Sequence, residues 1–143
     1  MLRMEKKENI TVKTLVNLPV QKVWYYWTTA EHVTGWNFAD TSWHCPKAVN
    51  ELKPGGRFSY RMEARDGSAG FDFSGKYTHL VQGVEIQYTL DDERKVSIVF
   101  ESEGSTTKVI ETFEAEQMNS PELQQTGWQM ILDNFRKYAE NKG

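Results

Sequence analysis

The sequence predicts an α+β domain in which seven antiparallel strands form one sheet, two short helices follow the first strand, and a long C-terminal helix covers one face. Three observations lead to this class. Apolar and polar residues alternate over several segments, glycine-containing turns separate most of these segments, and the last segment changes to a helical period. Because an antiparallel sheet with one polar face must have its apolar face covered, the terminal helix is expected to lie there.

The first elements are a strand and two short helices. Residues 10–18 alternate in the manner of a half-buried strand, and Pro19 suits the first turn of a helix. Residues 20–27 then repeat apolar side chains at helical spacing, and a second short helix carries Val33 and Trp36.

A second strand, from Trp43 onward, comes next, and the two strands after it form a clearly delimited hairpin. Lys53-Pro54-Gly55-Gly56 predicts a type II turn before it, because proline suits the first central position and glycine supplies the positive φ of the second. Asp66-Gly67 marks the reversal within the hairpin. The residues expected on its inner face are Phe58, Tyr60, Met62, Ala64, Phe71, Phe73, Gly75 and Tyr77.

Three more strands and the helix complete the chain. Ser120-Pro121-Glu122 predicts the helix start, since it supplies a cap, a first-turn proline and a first-turn acid. Gln125 and Gln129 lie on the opposite side of this helix from its aromatic residues. The inward side comprises Gln124, Gly127, Trp128, Ile131, Phe135 and Tyr138.

Composition limits the classes of function. The net charge is −3 and both signs are mixed along the chain, which disfavours a nucleic-acid-binding protein. The longest aromatic and aliphatic run, Val23 to Trp27, is too short for a membrane span of ~20 residues. With one cysteine and no signal-peptide pattern, the protein is expected to be cytoplasmic. Residues 1–9 are interpreted as a charged tail and residues 10–143 as one domain.

Four stretches together carry a resemblance to a known family. In chain order they are LPVQKVWYYWTTAEHVTGW, ELKPGGRFSYRMEARDGSAGFDFSGKY, TKVIETFEAE and GWQMILDNFRKY. Each alone is a turn or an amphipathic pattern, but their order and spacing over residues 10–138 are specific. The chain resembles the activator of heat-shock protein 90 ATPase homologue family, which lies within the START-like, or SRPBCC, helix-grip superfamily.

The resemblance implies a strongly curved seven-stranded sheet that grips the last helix, often with a hydrophobic cavity between them. Many members of the superfamily bind lipids, sterols or polyketide-like aromatic molecules there. The eukaryotic activators combine such a domain with a separate N-terminal domain to bind and stimulate the chaperone, and a second domain is not expected within 143 residues.

In this geometry a set of large side chains faces inward between sheet and helix. A fully packed core and a cavity for a small apolar ligand are the two interpretations, and the resemblance favours the cavity. The predicted ligand-binding residues include Trp36 and Trp43. These two flank residues 37–42, a segment that often borders the cavity entrance in the superfamily. The predicted ligand-binding residues are Trp36, Trp43, Tyr60, Met62, Phe71, Phe73, Tyr77, Tyr88, Glu111, Gln124, Trp128, Ile131 and Phe135.

Glu111 is the most informative polar residue, because its phase in the last strand points it inward, where an unpaired carboxylate is costly. The carboxyl group of Glu111 needs a hydrogen-bond or ion-pair partner, a position near the mouth of the cavity, or a proton. Pairing with an arginine or tyrosine is one interpretation, and orienting a ligand or acting as a general base is the other. Gln124 is expected either to meet a ligand at the entrance or to cap the local backbone.

No metal, cofactor or catalytic residue is predicted. His44 and Cys45 are adjacent in a strand and therefore point to opposite faces, so they cannot share a metal ion there. The sequence has no G-x-S-x-G motif, and Cys45 has no evident activating partner.

Three hypotheses for function follow. The first is non-enzymatic binding of a small lipid-like or aromatic molecule. The second is a module that binds a chaperone through the charged outer face, which carries Arg57, Arg61 and Arg65. The third is a polyketide cyclase-type enzyme with Glu111 as acid or base. A monomer is expected, or a weak homodimer through an exposed edge at strand one or strand seven.

Overall fold

The structure is a computed structural model that describes residues 8–143, so residues 1–7 of the predicted tail lie outside the described residues. The elements in chain order are β1 (Asn9–Val16), α1 (Val20–Thr28), α2 (Ala30–Val33), β2 (Trp43–Asn50), β3 (Arg57–Ala64), β4 (Gly70–Val81), β5 (Glu85–Leu90), β6 (Lys95–Glu103), β7 (Thr106–Glu114) and α3 (Pro121–Lys142).

The seven strands form one antiparallel sheet in the order β1-β7-β6-β5-β4-β3-β2. Strands β2 to β7 follow one another as a meander, and β1 pairs with β7 along its whole length. The register shifts between His44 and Lys47 and again between Tyr77 and His79, and such bulges bend and twist a strand. The curled sheet with α3 packed on it confirms the predicted helix-grip architecture.

The two edges of the sheet are β1 and β2. The expectation of an exposed edge at strand seven is wrong, because β7 is paired on both sides, with β1 and with β6. The free edge of β1 lies along α3. Gln129 Oε1 accepts from the Lys13 backbone N–H at 3.4 Å and its Nε2 donates to the Lys13 carbonyl at 3.1 Å. Glu140 accepts from the backbone N–H of Asn17 at 2.8 Å.

Two local predictions from turn and cap residues are confirmed. Gly55 has a φ of 83°, and the Gly56 N–H donates to the Lys53 carbonyl at 2.8 Å, as in a type II turn. At the start of α3, the backbone N–H of Leu123 donates to Ser120 Oγ at 3.1 Å.

The core lies between the inner face of the sheet and the helices. The inner-face residues of β3, β5, β6 and β7 are buried as predicted. On α3 the fully buried positions include Leu132, which sequence analysis had not placed on the inward side. None of the helices in residues 8–143 combines the length and apolar character needed to cross a membrane.

Candidate functional site

A cavity of about 340 Å³ lies between the inner face of the sheet and α3. Its walls come from α1, the segment after α2, strands β3, β4, β5 and β7, two loops and the first half of α3. The lining residues are Trp27, Trp36, Asn37, Phe58, Tyr60, Met62, Phe71, Phe73, Tyr77, Ile86, Tyr88, Arg94, Glu111, Glu116, Asn119, Leu123, Gln124, Gly127, Trp128 and Ile131.

Most of the predicted site residues surround this one space, although whether they contact a ligand stays a prediction. Those that line the cavity are Trp36, Tyr60, Met62, Phe71, Phe73, Tyr77, Tyr88, Glu111, Gln124, Trp128 and Ile131. They come together because alternate residues of neighbouring strands share one face of a sheet.

Trp43 and Phe135 do not line the cavity. The Trp43 ring lies 6.0 Å from that of Phe71, so it packs behind a lining residue. Phe135 is fully buried, with its ring 4.8 Å from Trp27 and 4.9 Å from Trp36. Its role in the structure is to support these two tryptophans from the side of α3.

Other lining residues were absent from the predicted set. Phe58 and Ile86 were in phase with Tyr60 and Tyr88, so the strand alternation was sufficient to find them. Gly127 also has the helical phase of the inward side of α3, so periodicity was sufficient to find it. The other lining residues depend on how α1, the loops and the start of α3 sit on the sheet, which periodicity does not give. They are Trp27, Asn37, Arg94, Glu116, Asn119 and Leu123.

Phe58 is the centre of the aromatic floor of the cavity. Its ring centroid lies 4.7 Å from Tyr88, 5.1 Å from Tyr60 and 5.3 Å from Tyr77. Contacts at these distances and tilted angles are favourable beyond the area they bury. The floor is therefore a rigid apolar surface.

The hydroxyl of Tyr77 is satisfied within the protein. It donates to Asn50 Oδ1 at 2.6 Å, and Asn50 Nδ2 donates to the carbonyl of Thr28 at the end of α1. Burial raises the pKa of Tyr77 to about 12, so the phenol stays neutral at physiological pH. This chain of bonds ties β4 to α1 beside the cavity.

Gln124 is buried, and its amide is occupied by backbone groups of the β7–α3 loop. The Oε1 atom accepts from the N–H of Glu116 at 2.9 Å, and Nε2 donates to the carbonyls of Glu116 and Asn119. These three bonds are those expected of a backbone cap. They leave Gln124 little hydrogen-bonding capacity for a ligand.

Glu111 is directed into the cavity and is only 6% exposed. None of residues 8–143 forms a hydrogen bond or an ion pair with its carboxyl group, so the expected arginine or tyrosine partner is not found there. Burial raises the pKa of Glu111 to about 8. Of the three possibilities for this residue, the structure favours the protonated carboxyl.

Asn37 is the second buried polar residue of the cavity wall. It is 6% exposed, and its Nδ2 has no hydrogen-bond partner in the described part of the chain. The amide lies near Cys45, whose thiol donates to the Lys47 carbonyl at 3.6 Å, but that thiol does not satisfy Nδ2. A buried donor without an acceptor is costly, which makes this position unusual.

Two apolar residues of the cavity lining are well exposed to solvent. Phe71 and Leu123 line the cavity and are 47% and 60% exposed. Sequence alternation predicted Phe71 as an inward residue, and it lines the cavity near the start of β4, opposite Met62. Apolar side chains therefore border part of the opening to solvent, together with the exposed polar residue Asn119.

Comparison with protein families found one match. The model for "Activator of Hsp90 ATPase homolog 1-like protein" matches residues 17–140, most of the chain. No curated protein matches the chain.

Solved structures with the same fold are numerous. An AHSA1-like protein from Aeromonas hydrophila, solved by NMR, is 40% identical, with a TM-score of 0.89 and coverage of 95% of this chain and 94% of that chain. A protein from Cytophaga hutchinsonii is 46% identical, with a TM-score of 0.81 and coverage of 94% and 93%. A protein from Nitrosomonas europaea shares the fold at 17% identity, with a TM-score of 0.80 and coverage of 99% and 100%.

Proposed function

This chain belongs to the Activator of Hsp90 ATPase homolog 1-like family, and from that premise we propose that it binds one small, mainly apolar molecule between the sheet and α3. The observation that carries the proposal is the cavity of about 340 Å³. Ligand pockets of proteins span ~300–1,000 Å³, so this cavity suits a single small molecule. Its aromatic floor favours a lipid-like or aromatic ligand, and binding is non-enzymatic.

Gly127 supports a cavity that is kept open. It lies inside α3, where glycine costs about 1 kcal/mol relative to alanine. A Cβ atom built at this position has no heavy atom within 4 Å, and the residue lines the cavity. A side chain at position 127 would therefore start in open space, and a larger one would occupy part of the cavity.

The test is a calorimetric titration of the wild type and two α3 variants with a panel of lipids, sterols and aromatic molecules. We expect saturable binding by the wild type and a loss of at least roughly tenfold in affinity for Gly127→Leu. Thr126→Leu is the matched control, since Thr126 is the exposed neighbour of Gly127. No saturable binding across the panel would refute the proposal. Equal affinity in the wild type and Gly127→Leu would also count against this cavity.

Chaperone binding and a cyclase-type reaction remain the alternatives. The outer-face arginines offer little free charge for docking, because Arg57 pairs with Asp91 at 2.6 Å and Arg61 with Glu63 at 2.8 Å. Arg65 Nε donates to the Thr41 carbonyl at 2.9 Å. Capture of the chaperone in a pull-down, together with stimulation of its ATPase activity, would favour chaperone binding. Turnover of a bound polyketide that is lost in Glu111→Gln would favour the cyclase-type reaction. The cytoplasmic location and the weak homodimer stay predictions.

A further inference from the structure

Of the buried polar residues that line the cavity, Glu111 presents to the open space a carboxyl group with no hydrogen-bond partner among residues 8–143. Glu111 and Asn37 are each 6% exposed and line the cavity. Asn37 Nδ2 also has no acceptor that meets hydrogen-bond geometry among residues 8–143, but the atom is fully buried beside Cys45, so a ligand in the cavity does not reach it. Leaving a buried donor unpaired costs more than a typical hydrogen bond contributes, so an acceptor supplied to Glu111 from outside the chain would be favoured.

The surroundings of Glu111 explain why it keeps its proton. Its partners in the neighbouring strands are Val12 of β1 and Ile98 of β6, which are apolar. Two charged residues line the same cavity, Arg94 and Glu116.

Each of these two charges is directed elsewhere. Arg94 Nε donates to Asp92 Oδ2 at 2.8 Å, and the Glu116 carboxylate accepts from the backbone N–H of Asn119 at 2.9 Å. Tyr88 of β5 lines the same cavity, and burial followed by the charge of Glu111 raises the pKa of Tyr88 well above its ordinary value. No cation in the described residues neutralises Glu111, and burial raises its pKa to about 8.

We propose that the ligand is uncharged and carries a ketone or hydroxyl oxygen that accepts a hydrogen bond from the protonated carboxyl group of Glu111. This inference rests on the proposed function of the same cavity. A pure hydrocarbon would leave the Glu111 carboxyl group unpaired, whereas an ionised carboxylate would bring a charge into a cavity with mainly aromatic walls. Apolar molecules with a buried carbonyl or hydroxyl group are therefore selected over both.

The test compares three probes of similar shape, acetylnaphthalene, isopropenylnaphthalene and naphthoate, in calorimetric titrations at about pH 6.5, where Glu111 is protonated. We expect the ketone to bind the wild type roughly tenfold more tightly than the alkene. Glu111→Gln keeps a donor and should keep this preference. Glu111→Leu has none and should bind both probes equally.

A pH series separates the effect of the Glu111 proton on ketone affinity from the effect of the side-chain shape. The ketone affinity of the wild type should fall as the pH rises through about 8, while that of Glu111→Gln should not change. This series also decides the question if Glu111→Leu fails to fold.

Three results would overturn the inference and leave the proposed function standing. They are equal wild-type affinities for ketone and alkene, a preference for naphthoate, and a ketone preference that survives in Glu111→Leu. If none of the three probes binds, the inference fails for aromatic ketones, whereas the proposed function is decided separately by the wider panel of lipids, sterols and aromatic molecules.

Discussion

The indole of Trp128 stacks on the ring of Phe113, with centroids 3.8 Å apart and planes inclined by 10°. The same indole meets Phe73 edge-on at 5.9 Å. Trp128 therefore joins α3 to β7 and β4, and it forms part of the cavity wall between them. The contact is one of those that hold α3 against the inner face of the sheet.

Trp128→Ala should destabilise the fold by about 3 kcal/mol, because it removes the stacked contact and leaves a larger void. Denaturant unfolding measures the change. Leu123→Ala, on the same helix and 60% exposed, is the control and should cost less than about 1 kcal/mol. Equal effects of the two substitutions would contradict the role given to the stack.

Glu111→Gln should change how stability depends on pH. Burial raises the pKa of Glu111 from 4.5 to about 8, so the folded state holds a proton that the unfolded state has lost between these values. The contribution of Glu111 to stability is fully present below about pH 4.5 and is lost as the pH rises through about 8, with a slope of at most about 1.4 kcal/mol per pH unit. Unfolding measured across this window should show the slope in the wild type relative to Glu111→Gln. If the stabilities of the wild type and Glu111→Gln changed in parallel across this pH window, Glu111 would be ionised in the folded protein, which would contradict the prediction.

Gln129→Ala should expose the free edge of β1. Both hydrogen bonds between the Gln129 amide and the backbone of Lys13 would be lost, so exchange of the Lys13 amide should accelerate roughly fivefold for a loss of about 1 kcal/mol. Gln125→Ala is the control, because Gln125 Nε2 donates to the carbonyl of Thr11, at 3.2 Å, and not to Lys13. Exchange of the Lys13 amide should be unchanged in this variant. Unchanged exchange at Lys13 in Gln129→Ala would show that the edge is protected by other means.

Alanine should have opposite effects at two glycines. At Gly35 a Cβ would lie 2.3 Å from Tyr138 Cε1, and moving that ring would disturb its hydroxyl contact with His32 Nδ1 at 2.7 Å. Gly35→Ala should therefore cost about 1–3 kcal/mol. Gly127→Ala should add about 0.5–1 kcal/mol, because open space surrounds the position and the helix gains propensity. Thermal unfolding measures whether each substitution raises or lowers the stability of the fold. A destabilised Gly127→Ala would argue against an open cavity.

The fold was predictable because its signals are local. Alternation identifies the inner face of β3, the Lys53 to Gly56 turn is encoded by proline and glycine, and Ser120 caps α3 as its sequence context indicates. These features depend on residues within a few positions of one another.

The remaining features depend on long-range packing. Helical phase placed Phe135 in the ligand-binding set, yet it lies behind Trp27 and Trp36 because α1 covers it. Leu132 is fully buried because the curled sheet encloses more of α3 than a single stripe. Asn37 lies in a loop, where no period indicates which way a side chain points.

The central claim is that a ligand enters the cavity between the sheet and α3, and the five tryptophans offer an internal test of it. Trp27, Trp36 and Trp128 line the cavity, whereas Trp24 and Trp43 do not. The measurement is an NMR titration that follows the indole N–H signals while acetylnaphthalene is added. Saturable shifts of the three lining indoles, with small changes at the other two, are the predicted result. Shifts confined to Trp24 and Trp43, or no saturable shift at all, would contradict the claim.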